Sequence, residues 1–132
     1  MKLKVVMLGA ALVLAASLAF SQGEGDLLKR GQDIFDNTCA DCHRSNGEGL
    51  PNKFPALKGN AFVQGNPEPV LHTVLNGRHG KLGRMPAWGG KFNDQEIAAV
   101  VSYARNAWGN KAPFITPEEE CRATPSRLCP IS

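Results

Sequence analysis

One pentad constrains this chain more than any other stretch: Cys39-Ala40-Asp41-Cys42-His43. Two thiols three positions apart, with a histidine directly after the second, are what c-type haem attachment requires. On a helix that spacing brings both sulfurs toward one face of a single turn. Each can then add to one haem vinyl group as a thioether. His43 follows closely enough to place an imidazole nitrogen on the iron. A tethered haem cannot dissociate, so a small chain need not enclose it fully.

Two other chemistries use paired cysteines. A thioredoxin-like redox pair follows a strand in a βαβ pattern, and no such pattern precedes Cys39. A zinc site needs four ligands. The remaining cysteines, Cys121 and Cys129, lie far away in a tail with Pro113, Pro117, Pro125 and Pro130. Neither is followed by a histidine at the spacing a second haem would need. In an exported chain they are expected to pair as a disulfide that staples the tail.

Export is expected from the N-terminus. Lys2 and Lys4 precede an uncharged, mostly apolar run from Val5 to Phe20. Ala19 and Ser21 are placed for cleavage before Gln22, so residues 1–21 read as a signal peptide. The run is shorter than the roughly 18 to 20 residues of a spanning helix. An uncleaved membrane anchor is the alternative. The 132 residues suffice for one domain, taken as 22–110 with a tail over 111–132. Losing Lys2 and Lys4 lowers the formal net charge from +3 to +1, which gives no support to nucleic-acid binding. The basic residues cluster between Arg44 and Lys91.

Periodicity outlines three main helices and long loops. Asp26 can cap a first helix to about Asn37, with Leu27, Ile34 and Phe35 on its apolar side and Gly31 available for a close helix crossing. Residues 44–66 have loop composition yet carry Leu50, Phe54, Leu57 and Phe62, which suits a loop wrapped on an apolar group. Asn66 and Pro67 start a second helix that Gly77 ends. A glycine-rich basic loop from Gly77 to Gly90 contains Met85. Asn93 and Glu96 form a capping box for the last helix, and Phe92 with Ile97 a hydrophobic staple. Ile97, Val100, Val101, Ala104 and Trp108 mark its apolar face, and Gly109 or Asn110 its end. Thr116 to Glu119 can cap one further short turn. Strand signals are sparse.

A low-spin electron carrier needs a second axial ligand besides His43, usually methionine or histidine. Met85 is the methionine that remains after signal removal. His72 and His79 are the rivals.

In order along the chain these features resemble a class I c-type cytochrome over roughly residues 25–110. Gly31 and Phe35 stand before the pentad, and Tyr103 on the last helix, where that family has its first-helix glycine and its paired aromatics. The resemblance implies an all-α small cytochrome c fold around one covalently bound haem. It implies His43 and Met85 as axial ligands, with Cys39 and Cys42 as the haem thioethers. Pro55-Ala56-Leu57-Lys58-Gly59 resembles the proximal loop, so the Pro55 carbonyl would accept from the far nitrogen of His43 and Leu57 would pack on the porphyrin. Met85-Pro86, followed by Trp88, resembles the methionine loop.

The expected role is one-electron transfer in the periplasm, as a monomer, between a donor and an acceptor that can be membrane-bound. Arg78, Lys81, Arg84 and Lys91 bracket Met85 and would ring a docking face for an acidic partner. No enzymatic activity is expected. The alternatives are a haem-bearing subunit of an oxidase, dehydrogenase or sulfur-oxidising complex and, further off, a ligand-binding or peroxidase-like haem protein.

Overall fold

The computed structural model describes residues 23–116 together with Glu119 and Ala123. The expected signal segment, Cys121 and Cys129 lie outside the described residues. The helix α1 comprises residues 23–34, a π-helical turn Phe35–Cys39 and a last α-helical turn Ala40–His43. It is already helical at residue 23, so Asp26 is not its cap. It also runs past Asn37 through the whole pentad. The π-turn is the local adjustment: Ala40 N–H donates to the Phe35 carbonyl five residues back. Such turns recur in α-helices at functional sites. Arg44, at φ 63°, ends α1.

After α1 the chain is irregular, as its composition predicts, apart from a bridge between Leu50 and Phe54 and a short helix α2, Ala61–Gln64, capped by Asn60. Helix α3, Pro67–Asn76, starts on Asn66, whose side chain accepts from Glu68 N–H, and stops at Gly77, φ 73°. The segment expected as a plain loop contains a hairpin instead. Strand β1, Arg78–Gly80, pairs antiparallel with β2, Gly83–Met85. Three-residue exposed strands are too short to show an alternating pattern in sequence.

Helix α4, Asp94–Asn106, carries the predicted capping box: Glu96 N–H donates to Asn93 at 2.9 Å and Asn93 N–H to Glu96 at 3.0 Å. It ends earlier than expected. Trp108 lies beyond it with φ 56° rather than on its apolar face. From there its ring packs on Phe35, 5.1 Å between centroids, while Nε1 donates to the Ser45 carbonyl.

The core lies where α1, α3 and α4 meet, with Phe35, Leu71 and Ile97 fully buried. The chain after α4 returns to this core. Ile115 and Ala123 are buried in it, and Ile115 N–H donates to Ser102 Oγ at 2.8 Å. Thr116 and Glu119 make a reciprocal cap. Among the described residues no helix is long and apolar enough to cross a membrane.

Gly31 sets the α1–α4 crossing. A Cβ there would run into the Ala99 carbonyl and lie 2.8 Å from Tyr103 Cβ. Alanine gains about 1 kcal/mol of helix propensity over glycine. A clash with backbone that cannot rotate away outweighs this, since overpacking costs roughly 1–3 kcal/mol. Gly31→Ala should therefore lower the unfolding midpoint of the haem-loaded protein. A midpoint at or above wild type would show that the helices can part there at little cost.

Candidate haem site

The last turns of α1 place Cys39, Cys42 and His43 on one wall of an apolar cavity of about 400 Å³. That is within the roughly 300–1,000 Å³ of ordinary ligand sites. Cys39 and Cys42 are free thiols here. They stand in for the thioether sulfurs of a loaded protein. Burial, and secondarily the charge of Cys42, push the Cys39 thiol up to about 11. It is therefore a protonated, weakly reactive thiol at neutral pH until it is alkylated.

His43 is buried, and its Nδ1 lies 3.0 Å from the Pro55 carbonyl oxygen. A carbonyl can only accept, so Nδ1 carries the proton and Nε2 keeps its lone pair. Burial lowers the His43 pKa, with the Pro55 bond opposing. The ring is thus held neutral in the tautomer that suits a metal ligand. Backbone glycines shape the loop that delivers Pro55. Gly49, at φ 62°, sits where a Cβ would lie 2.6 Å from the Pro55 oxygen. Leu57 N–H and Lys58 N–H both donate to the Gly47 carbonyl. Leu57 lines the cavity beside Pro55.

The other wall comes from α3, α4 and the hairpin. Val70, Val74, Val100 and Val101 present their apolar faces to it. Met85, the last residue of β2, lines it together with Trp88. The Met85 backbone is fixed on both sides. Before the hairpin, Gly77 has no Cβ where one would stand 2.6 Å from the Met85 carbonyl oxygen. After it, Trp88 N–H and Gly89 N–H donate to the Val74 and Leu75 carbonyls. Those are groups that the C-terminus of α3 leaves without helical partners. His72 and His79, the alternatives to Met85, are exposed, and neither lines the cavity.

Of the four basic residues expected to ring a docking face, Arg78, Lys81 and Arg84 line the cavity while Lys91 does not; Lys53 lines it too. Lys91 Nζ sits 4.9 Å from the Trp88 ring centre, and the Arg78 guanidinium 5.3 Å from that of Phe62. Among the described residues, Phe62 and Leu82 are the large apolar side chains left exposed.

Sequence inspection passes over three side chains that frame the site. Trp108 reads as helix face and Asn110 as a helix stop, and Arg105 falls in no motif. Instead Asn110 is buried and bonded to the Leu57–Gly59 loop. Arg105, also buried, is bonded to the carbonyls of Val63 and Gly65.

An apolar cavity with a thiol pair and a neutral, oriented imidazole on one wall suits a covalently held haem. The comparisons with known proteins agree. Residues 26–103 match the family described as cytochrome c oxidase, cbb3-type, subunit III. Cytochrome c-552 of Thermus thermophilus is 31% identical, over 91% of this chain and 87% of that protein. Cytochrome c6 of Chlorolobion braunii is 35% identical, over 64% of this chain and 96% of that protein. The gluconate 2-dehydrogenase cytochrome c subunit of Pantoea cypripedii is 35% identical over 67% of this chain. The chain spans only about a fifth of the length of the dehydrogenase cytochrome subunits it matches. The family match runs from α1 through the cavity walls into α4, and the c-552 and c6 relatives are covered nearly end to end. The chain belongs to the class I, monohaem c-type cytochromes and carries one covalently bound haem c.

Proposed function

We propose that this protein is a periplasmic carrier of single electrons, with Cys39 and Cys42 as the haem thioethers and His43 and Met85 as the axial ligands. The supporting observation is that His43 and Met85, from α1 and β2, line the same apolar cavity. When bound, the haem supplies a one-electron Fe(III)/Fe(II) couple. The chain's residues do the rest. Pro55 holds His43 in its ligating tautomer, and such partners raise the basicity of the imidazole. Met85 offers a soft, neutral thioether, which favours the ferrous state. The apolar walls keep water out and disfavour the extra charge of the ferric state. Residues 1–21 act as the export signal, and Cys121 and Cys129 form a disulfide in the tail. In this reading the chain turns over no substrate.

The test is an absorption spectrum of the purified protein in both oxidation states. A low-spin c-type spectrum with the weak far-red methionine-to-ferric-iron band is expected. A high-spin ferric spectrum would move a ligand-binding role to the front.

Arg78, Lys81 and Arg84 at the cavity, with Lys91 on Trp88, form the docking face for an acidic redox partner. Charges so placed act mainly on association rates. Reversing both Lys81 and Arg84 to glutamate should slow electron transfer to an acidic redox protein about tenfold or more at low salt, with the difference fading at high salt. Equal rates at low salt would remove these residues from the docking face.

The second reading is a haem-bearing subunit of a larger complex. Its support is the set of relatives named as cytochrome subunits of gluconate and alcohol dehydrogenases and as the oxidase subunit CcoP. Stoichiometric co-purification of other subunits from a gentle membrane extract would favour it.

A further inference from the structure

Asn110 follows α4 and is buried, yet all its side-chain polar atoms are used. Nδ2 donates to the Leu57 carbonyl at 3.0 Å and to the Ala104 carbonyl at 2.8 Å. Oδ1 accepts from Gly59 N–H at 2.8 Å. One amide therefore ties the Leu57–Gly59 loop to the last turn of α4. A second anchor of the loop is the Gly47 carbonyl, which takes Leu57 N–H and Lys58 N–H, and on the surface Lys58 Nζ pairs with Glu48 at 3.0 Å. Two residues before Leu57 stands Pro55, whose carbonyl oxygen accepts from His43 Nδ1. Its position is bounded on one side by Gly49 and on the other by the anchored Leu57.

We propose that Asn110 is a positioning residue for the redox centre: by holding Leu57 it sets the Pro55 carbonyl against His43 Nδ1–H and so the donor strength of the imidazole. The inference rests on His43 being an iron ligand. Without the Asn110 amide, Leu57 keeps its N–H anchor, and its carbonyl keeps only the bond from Asn60 N–H at 3.3 Å within the same loop, with no tie to α4. The Pro55 oxygen is then free to drift from Nδ1. A weaker bond makes the imidazole a poorer donor to the iron. The ferric state is stabilised less, and the midpoint potential rises.

The test compares haem-loaded wild type with Asn110→Ala, Asn110→Ser and Ser102→Ala. Ser102 is the control. It is equally buried on α4, but its hydroxyl accepts from Ile115 N–H, away from the proximal loop. Two quantities are read: the midpoint potential by spectroelectrochemistry, and solvent exchange of the His43 Nδ1 proton by NMR of the ferrous protein. Asn110→Ala should raise the potential and speed the exchange several-fold. Asn110→Ser, which keeps one hydroxyl for Gly59 N–H, should fall between it and wild type. Ser102→Ala should lower the unfolding midpoint and leave both quantities alone. The proposal is overturned if the Asn110 variants lose stability while potential and exchange stay at wild-type values. Wild-type His43 ring resonances without the large upfield shifts of an iron-bound imidazole would instead sink the ligand assignment itself.

Discussion

Met85→Ala should leave the haem attached, abolish the far-red band of the ferric protein and lower the midpoint potential. The attachment survives because Cys39 and Cys42 lie on α1, in a separate element from the hairpin. The fold survives because what holds the Met85 backbone is not the Met85 side chain. The Arg78–Met85 pairing, the missing Cβ of Gly77 and the Trp88 and Gly89 hydrogen bonds to the end of α3 all remain. The half-buried side chain contributes roughly 2 kcal/mol of burial at most, so the unfolding midpoint should fall modestly. The electronic effect should be large. Axial ligands set haem potentials over about 0.8 V, and losing a thioether removes a ligand that favours the reduced state. Absence of that band from the wild-type ferric protein, with a potential that the substitution leaves unchanged, would exclude Met85 as the ligand. A histidine would then have to reach the iron, although His72 and His79 both face solvent outside the cavity.

The residues legible in the sequence are those whose partners are close along the chain. The pentad needs three residues at fixed spacing. The Asn93–Glu96 box spans one turn, and Asn66-Pro67 with Gly77 brackets α3. Each rests on local hydrogen bonding, which residue type and spacing encode. The errors share a different cause. Asp26 reads as a cap because aspartate often is one, yet α1 is helical on both sides of it. Trp108 fits the helical spacing of α4, but its ring is taken by Phe35 and by the space that Gly47 leaves open. Asn110 and Arg105 bond to backbone carbonyls about 40 to 50 positions away. A carbonyl partner leaves no residue type behind, so no pattern in the sequence marks it. The hairpin is silent for a related reason, since its strands are too short and too exposed to alternate.

Arg105→Met should be the most destabilising of the substitutions considered. Arg105 is 1% exposed, and its guanidinium donates to three carbonyls: Val63 at 2.8 Å, Gly65 at 2.9 Å and Pro113 at 3.1 Å. Burial lowers its pKa and the nearby Glu119 charge opposes this; it remains a cation at any working pH. Methionine fills similar space but leaves those three acceptors without their donor. Hydrogen bonds from a charged group each contribute about 1.5–3 kcal/mol, and an orphaned buried acceptor costs about 1–3. A loss on the order of 3 kcal/mol is therefore expected even if water reaches two of the three. For a domain of this size that corresponds to a fall of roughly 10–20 °C in unfolding midpoint. Arg105→Lys keeps the charge but has one nitrogen for three acceptors, so it should lie between. The exposed Arg30–Glu96 pair, 2.8 Å long, sets the contrast. Arg30→Met should cost no more than about 1 kcal/mol, because solvent replaces what the pair provides. If Arg105→Met were as mild as Arg30→Met, the carbonyls of α2 and of the segment after α4 would be satisfied without the guanidinium. If it is severe, one buried cation joins the cavity wall at Val63 to the returning chain at Pro113, and the last segment helps to hold that wall in place.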